Sequence, residues 1–286
     1  MSSTIYDSAD FHGKFTAANV TSDSTQYDHA YILLLQVKLS EAGSESGIPG
    51  NSISLIVRLV SLVSTQGQGI NLTAQCAIFC GLKRPDLISA YFHELTQGET
   101  DESKLKIYFH MRESMNVVWP FVGLPNVISA CYGLFDELRK LGLEPPAEVK
   151  RPGLGEMDWV KIGDQNRRAI YKGSNNIDGI AMLEKYFPTL SGAVVQGYLQ
   201  YGAGEPDSLP QTELLVAAAI TASGVRRQSR THCQSALGLG CTVEKVQAVV
   251  DVAAALANWN KTPLGSDFDI NALSAETAAN VEKRKT

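Results

Sequence analysis

The sequence lacks the features that mark a membrane protein, a secreted protein or a nucleic-acid-binding protein. Its longest apolar runs, AYILLLQV and SISLIVRLVSLV, are shorter than the roughly 20 residues that cross a bilayer. The N-terminus has no charged region followed by an apolar core, as a secretory signal would have. The net charge of -5 comes without a basic stripe. We therefore expect a cytoplasmic protein with neither a membrane nor a nucleic acid as partner.

Cysteine and histidine are too scattered to predict a disulfide framework or a metal site. The five cysteines are an odd number and fit a reducing compartment; they are Cys76, Cys80, Cys131, Cys233 and Cys241. Neither H-x-x-x-H nor C-x-x-C occurs in the chain. The GLG runs at 153–155 and 238–240 lack the strand and helix context of a nucleotide-binding loop. We therefore predict no metal and no cofactor.

The composition and the apolar pattern predict a globular, all-α protein. Hydrophobic residues make up 44% of the chain and charged residues 19%. Between residue 52 and about residue 143, apolar side chains recur at intervals of three and four, and no segment alternates strictly as a strand would. The segments after residue 158 show the same helical pattern.

Two loop-like stretches divide the chain. AGSESGIPGNS, at 42–52, concentrates Gly, Ser and Pro, and EPPAEVKRPGLGEMD, at 144–158, cannot continue a helix because of its three prolines. We predict an N-terminal lead-in with a short helix at 1–48. Helical units follow at 49–147 and 148–286.

One helical hairpin carries a carboxylate and an imidazole that we expect to face each other. The pattern predicts a helix over Gln211–Ala222, a turn at 223–225 and a second helix over Arg226–Leu239. Glu213 lies about 11 residues before the turn's centre and His232 about 8 after it, so at about 1.5 Å per residue their axial offset is only about 4 to 5 Å. Side chains on neighbouring helices reach across that offset.

A carboxylate bonded to an imidazole fixes the ring's tautomer, which is how a general base that works near neutral pH is made. The pair of Glu213 and His232 therefore predicts proton transfer. A structural alternative stays open, in which Glu213 is a first-turn helix residue and His232 a half-buried histidine with satisfied hydrogen bonds.

The residues of this hairpin resemble a known superfamily, that of carboxymuconolactone decarboxylase and alkylhydroperoxidase D. Its signature is similar to the run His232-x3-Ala236-Leu237-x2-Gly240-x-Thr242-x-Glu244. Its functional glutamate matches Glu213, 19 residues ahead of the histidine, and its leading segment is similar to Phe187-Pro188-x-Leu190 and Tyr201-Gly202. The resemblance covers about residues 165 to 262.

The resemblance implies a cofactor-independent enzyme nearer to the decarboxylase branch. The peroxidase branch has a C-x-x-C pair seven and four residues before the histidine, where this chain has Val225 and Gln228. What the decarboxylase branch implies is a lyase or isomerase in which His232 and Glu213 are catalytic and the substrate is a small organic acid, lactone or polyketide-like molecule. Because the arginine that usually precedes the functional glutamate is Thr212 here, the reaction can be decarboxylation, isomerisation or cyclisation.

The resemblance also supplies candidates for substrate binding and assembly. Arg227 stands where the peroxidase branch has a pocket-lining histidine, and with Gln228 and Val225 it is a candidate contact to a substrate that can be anionic. Solvated arginines on an exposed helix face are the alternative. Because members of the superfamily usually oligomerise through these helices, we also expect a homo-oligomer.

The fold that we predict is a tandem of two alkylhydroperoxidase D-like helical units, the first degenerate. When His93 is aligned with His232, Ala74 falls on Glu213, so the first unit lacks the glutamate. Two other functions stay open. One is a non-catalytic helical protein for binding or assembly, and the other is a thiol-based, peroxidase-like antioxidant protein that uses Cys76 and Cys80.

Overall fold

The computed structural model describes residues 68–147, 156, 158–174, 177–194, 209–264 and 269–283. Within these ranges the regular elements are all helices, which confirms the all-α prediction. None of the described helices is long and apolar enough to span a membrane. The predicted lead-in at 1–48, its short helix and the first residues of the unit at 49–147 lie outside the described residues.

Eleven helices follow one another along the described part of the chain. They are α1 (Gln68–Gly81), α2 (Pro85–Leu95), α3 (Asp101–Val122), α4 (Leu124–Lys140), α5 (Trp159–Ile170), α6 (Ile177–Tyr186), α7 (Pro188–Val194), α8 (Leu209–Ala222), α9 (Arg226–Gly238), α10 (Val243–Trp259) and α11 (Ile270–Lys283). The break between α6 and α7 falls before Pro188, as the sequence predicts.

Helix α8 lies at the centre of the core because its sequence, LPQTELLVAAAITA, is apolar almost all the way round. Every residue from Thr212 to Ala222 is buried. Helices α1, α3, α9 and α10 pack against it. The helix that carries Glu213 is therefore covered from both halves of the chain.

The two halves of the described chain approach each other closely at Gly81, the last residue of α1. A Cβ atom added there would overlap the carbonyl oxygen of Ala219 and lie 3.0 Å from the Cβ of Ala222. The hydroxyl of Ser223 also donates a hydrogen bond to the carbonyl oxygen of Gly81 at 3.3 Å. The contact between α1 and α8 is backbone against backbone, so it leaves no room for a side chain.

The hairpins α1–α2 and α8–α9 have the same spacing across their turns. Three residues, 82–84 and 223–225, separate the two helices of each hairpin. One and the same sequence offset brings Gly81 into line with Ala222 and Pro85 into line with Arg226. This register differs from the one that aligns the two histidines, and it places Tyr91 on His232. The tandem itself stays a prediction.

Candidate functional site

Glu213 and His232 form a buried pair at the centre of the fold. The Nδ1 atom of His232 lies 2.7 Å from the Oε2 atom of Glu213. The side chains of His232 and Glu213 are 5% and 0% exposed, respectively. A carboxylate at this distance accepts the Nδ1–H, so the neutral ring keeps its lone pair on Nε2. The predicted contact across the hairpin is therefore present.

The turn between the helices that make this contact lies where the sequence predicts. The first helix ends at Ala222 and the second begins at Arg226, as predicted, and the second ends at Gly238, one residue before the predicted end. Gly224 in the connecting turn has a φ of +73°, a conformation that favours glycine. Thr242 caps the next helix by accepting a hydrogen bond from the Lys245 amide at 3.3 Å. Local turn and cap chemistry thus sets the register of the pair.

Two aromatic rings lie edge-on to the His232 imidazole. The ring centroid of Phe121 is 5.1 Å from that of His232, with an angle of 79° between the planes. The ring centroid of Tyr171 is 6.2 Å away, at 63°. Both aromatic residues are half-buried. They restrict where the imidazole ring can turn, and they give the site an apolar wall.

Phe121 comes from the last turn of α3, in the first half of the chain. Pro120 stands inside this turn, and Gly123 ends the helix with a φ of +90° while its amide donates to the carbonyl oxygen of Trp119 at 3.0 Å. Because proline and a left-handed glycine fix the backbone on either side, the position of Phe121 is well defined.

Tyr171 is held by a close contact between two glycines. It begins the turn that follows α5, and two residues later a Cβ atom added at Gly173 would come within 2.8 Å of the Gln234 carbonyl oxygen. A Cβ atom added at Gly238 would in turn come 3.0 Å from the Cα of Gly173. The amide of Asn280 donates a hydrogen bond to the Gly173 carbonyl oxygen at 3.0 Å. The turn is therefore fixed against α9 and α11.

The phenol of Tyr171 and the thiols of the hairpin resist ionisation. Burial, with the negative charge of Glu213, raises the pKa of Tyr171 well above its ordinary value. Burial also raises the pKa of Cys233 to about 12 and that of Cys241 to about 11. This phenol and these thiols are thus in their neutral forms near neutral pH.

The candidates for substrate binding lie at the exposed start of α9. Val225 is 45% exposed at the N-cap position, and Arg227 and Gln228 are exposed in the first turn. Gln228 precedes His232 by one helical turn and so lies on the same side of α9, whereas Arg227 is about 140° away around the helix. The neighbouring Arg230 pairs with Glu276 of α11. The binding role of the three candidates stays a prediction.

In the first hairpin, the residues considered from sequence lie apart from any such pair. His93 is exposed, and its Nδ1 atom lies 3.4 Å from the Oε2 atom of Glu137. Cys76 and Cys80 are buried one turn apart on α1. A hydrogen bond between the Cys80 and Cys76 thiols, together with burial, raises the pKa of Cys80 well above its ordinary value. Across the described ranges, no cluster of His, Cys, Asp and Glu has the arrangement of a metal site.

Sequence reasoning missed Phe121 and Tyr171. Both lie outside the hairpin and far ahead of His232 in the sequence, where no spacing rule connects them to it. The glycine two residues after Tyr171 is the one local signal, because it marks a turn that another backbone can approach closely.

The comparison with known families agrees with the geometry of the hairpin. Residues 193–263, about a quarter of the chain, match the model of the carboxymuconolactone decarboxylase family. The match begins later than the resemblance from residue 165 predicted and ends one residue beyond its predicted end. No curated protein and no solved structure matches the chain. The segment that contains both Glu213 and His232 is therefore the part of the chain that is similar to the carboxymuconolactone decarboxylase family.

Proposed function

We propose that the protein is a cofactor-independent enzyme of the carboxymuconolactone decarboxylase type, a lyase or isomerase that moves a proton on a small organic acid, lactone or polyketide-like substrate. The observation that carries this proposal is the 2.7 Å contact between Glu213 and His232 inside the core. Buried charge is costly unless it is paired, and a stable core does not need it. A pair retained at this position is best explained by chemistry.

The proton would be transferred at the Nε2 atom of His232. Glu213 would hold the imidazole in the tautomer with the proton on Nδ1 and stabilise the imidazolium that forms when Nε2 accepts a proton. A base of this kind removes the proton next to a carbonyl group, and the imidazolium returns a proton to the same or a neighbouring carbon. In a decarboxylation, His232 would take the proton of the substrate's carboxylic acid, and after carbon dioxide has left, the imidazolium would return that proton to the carbon.

The surroundings of the pair favour a mainly apolar, unsaturated substrate. Phe121 and Tyr171 present ring edges beside the imidazole. The partial exposure of both residues suggests a route from solvent to this face of the ring. Arg227 and Gln228, at the exposed start of α9, would meet an anionic group that remains outside this wall.

The thiol-based alternative has less support. A peroxidase needs a thiolate, and for Cys80 of the proposed Cys76 and Cys80 couple, a hydrogen bond with Cys76 and burial raise the pKa well above its ordinary value. The non-catalytic alternative predicts instead that the pair serves packing alone. Activity measurements distinguish this alternative from the proposed enzyme.

Hydrogen exchange in D₂O tests the proposal even where the final product of the reaction is unidentified. The protein is incubated with a panel of small lactones, β-keto acids and 1,3-diketones, and NMR follows deuterium at the carbon next to the carbonyl and any loss of carbon dioxide. We expect one class of compound to exchange faster with the wild type than with buffer. His232→Ala and Glu213→Gln lower that rate by about 100-fold or more.

A matched control uses the other hairpin. His93→Ala removes an exposed histidine that pairs with Glu137 and leaves the site untouched, so it keeps the wild-type rate. If the wild type exchanges no panel member above buffer, or if both site variants keep full activity, the pair has no catalytic role. A cytoplasmic location and a homo-oligomer remain predictions, which cell fractionation and light scattering test.

A further inference from the structure

We propose that Tyr171 is a further functional residue of this site, whose hydroxyl donates a hydrogen bond to the substrate oxygen that becomes negatively charged as His232 removes the proton. The inference rests on the proposed function and adds a second residue that acts on the substrate together with His232. Neither the family-matched segment at 193–263 nor the hairpin itself contains this residue.

The position of Tyr171 suits a group that acts together with His232. Its ring centroid lies 6.2 Å from that of the imidazole, with an angle of 63° between the planes, so the two side chains are close enough to act on one small molecule. The other ring contact, from Phe121 at 5.1 Å, offers no hydrogen-bond donor. Of the two rings beside His232, the phenol is therefore the one that can stabilise charge.

The electrostatics keep this phenol in its donor form. Burial and the negative charge of Glu213 both raise the pKa of Tyr171, so the hydroxyl keeps its proton across the neutral pH range. A neutral hydroxyl donates a hydrogen bond to an oxyanion without becoming a competing base. The carboxylate that orients His232 thus also holds the tyrosine in the form that the reaction needs.

The fold holds the residue still, as preorganised charge stabilisation requires. The turn that carries Tyr171 packs against Gln234, Gly238 and Thr277 through Gly173, with no space for a Cβ atom. Asn280 donates a further hydrogen bond to Gly173. These contacts come from α9 and α11, so the backbone of the turn that carries Tyr171 is fixed against the helix that carries His232.

The chemical step balances with these two residues and the substrate. His232 Nε2 takes the proton from the carbon next to the carbonyl, and the electron pair of that C–H bond forms a C=C bond. The carbonyl π pair moves to the oxygen, which becomes the anion that accepts the Tyr171 hydrogen bond. Collapse of this enolate takes the proton back from the imidazolium, so no oxidant, reductant or other reactant is consumed.

Binding of 4-nitrophenolate, with 4-nitroanisole as a neutral control, tests the inference. The phenolate presents an oxyanion on a flat ring, and its absorption maximum changes when a donor binds it. We expect the wild type to bind the phenolate at least about tenfold more tightly than the anisole. Tyr171→Phe keeps the ring and lowers phenolate affinity by about 10- to 100-fold, because hydrogen bonds to charged groups are the strong ones.

Two further variants separate this effect from packing. Tyr91→Phe removes a buried hydroxyl far along the chain from the site and leaves phenolate binding unchanged. Replacement of Tyr171 by 3-fluorotyrosine keeps the hydroxyl and makes it a stronger donor, so binding is retained or tightened. If Tyr171→Phe is unfolded, the 3-fluorotyrosine protein decides whether the hydroxyl binds the phenolate. A purely structural residue would leave the absorption maximum of bound 4-nitrophenolate the same as with the wild type.

The results distinguish this inference from the function on which it rests. Equal affinity of the wild type for phenolate and anisole, or equal phenolate affinity of Tyr171→Phe and the wild type, overturns the role of Tyr171. If His232→Ala still lowers the deuterium-exchange rate in that case, the proposed function stands without it. If the wild type exchanges no substrate yet binds phenolate through Tyr171, the proposed function fails and an oxyanion-binding site remains.

Discussion

The two hairpins, α1–α2 and α8–α9, have the same spacing across their turns and differ in the side chains that they bury. When the two turns are aligned, Leu72 corresponds to Glu213 and Tyr91 to His232. Both Leu72 and Tyr91 are buried, at 7% and 0% exposure. One hairpin therefore holds an apolar residue and a phenol where the other holds a carboxylate and an imidazole.

This comparison indicates that a hairpin of this spacing packs without the polar pair. The first hairpin buries apolar or phenolic side chains at the aligned positions, whereas the second carries a pair whose desolvation costs free energy. We attribute the presence of the polar pair in the second hairpin to the proposed proton transfer. Substitutions at four places in the hairpins test how far the comparison holds.

The largest effect on stability is expected when one member of the pair is removed. His232→Leu leaves the Glu213 carboxylate buried with its partner gone and lowers the free energy of unfolding by about 3–5 kcal/mol. The double variant Glu213→Leu/His232→Leu makes the second hairpin apolar, as at Leu72, and recovers most of that loss. Urea unfolding measures both, and a double variant as unstable as the single one would show that the two hairpins are not equivalent frames.

A smaller loss of stability is expected where α1 contacts α8. Gly81 contacts the backbone of Ala219. The residue that corresponds to Gly81 in the second hairpin is Ala222, so a methyl group is accommodated at this position in the second hairpin but not in the first. Gly81→Ala lowers the free energy of unfolding by about 1–3 kcal/mol through overpacking. Gly192→Ala, in an exposed helix with open space around it, is neutral or stabilising. Equal effects of the two substitutions in thermal unfolding would contradict the close contact.

The third expected effect is a dependence of stability on pH. Cys233 in the second hairpin can ionise, whereas Phe92, which corresponds to it in the first hairpin, cannot. Burial raises the pKa of Cys233 from 9.0 to about 12 in the folded protein. The folded state then keeps a proton that the unfolded state loses, so this stability is complete below about pH 9 and falls as pH rises from about 9 to 12.

Cys233→Ala removes the contribution of the thiol's ionisation. The free energy of unfolding then falls less steeply at alkaline pH, by up to about 1.4 kcal/mol per pH unit. Urea unfolding at several pH values between about 8 and 11 measures the slope. Identical slopes for variant and wild type would mean that the thiol ionises freely in the folded state.

The smallest effect is expected at Tyr91. Within the part of the chain that the structure describes, its buried hydroxyl makes no hydrogen bond. Tyr91→Phe removes an unsatisfied polar group and changes the free energy of unfolding by less than about 1 kcal/mol, in the stabilising direction. A destabilisation larger than that value would show that the hydroxyl has a hydrogen-bond partner, as the imidazole of His232 has.

The second hairpin could be predicted from sequence because its determinants are local. Glycine and threonine at the turn and caps fix where α8, α9 and α10 begin and end, and two helices joined by three residues must lie side by side. The contact between Glu213 and His232 follows from those boundaries.

The aromatic wall could not be predicted in the same way. Phe121 and Tyr171 reach His232 through packing between elements far apart in sequence, and periodicity carries no information about such contacts. The alignment of the two units that the sequence predicts depends on matching His93 to His232. His93 is exposed and paired with Glu137, whereas His232 is buried, so the two histidines share a residue type but not a position in the hairpin.

The burial of α8 has a consequence for the order in which the protein is made. Helices α1 and α3 leave the ribosome first, and the faces that α8 covers stay open to solvent while the chain from α4 to α7 is synthesised. The first half is therefore expected to remain partly folded, with exposed apolar surface, until α8 has been synthesised. A fragment truncated before Leu209 is expected to aggregate or bind chaperones. The helix that carries Glu213 is also the piece that completes the fold.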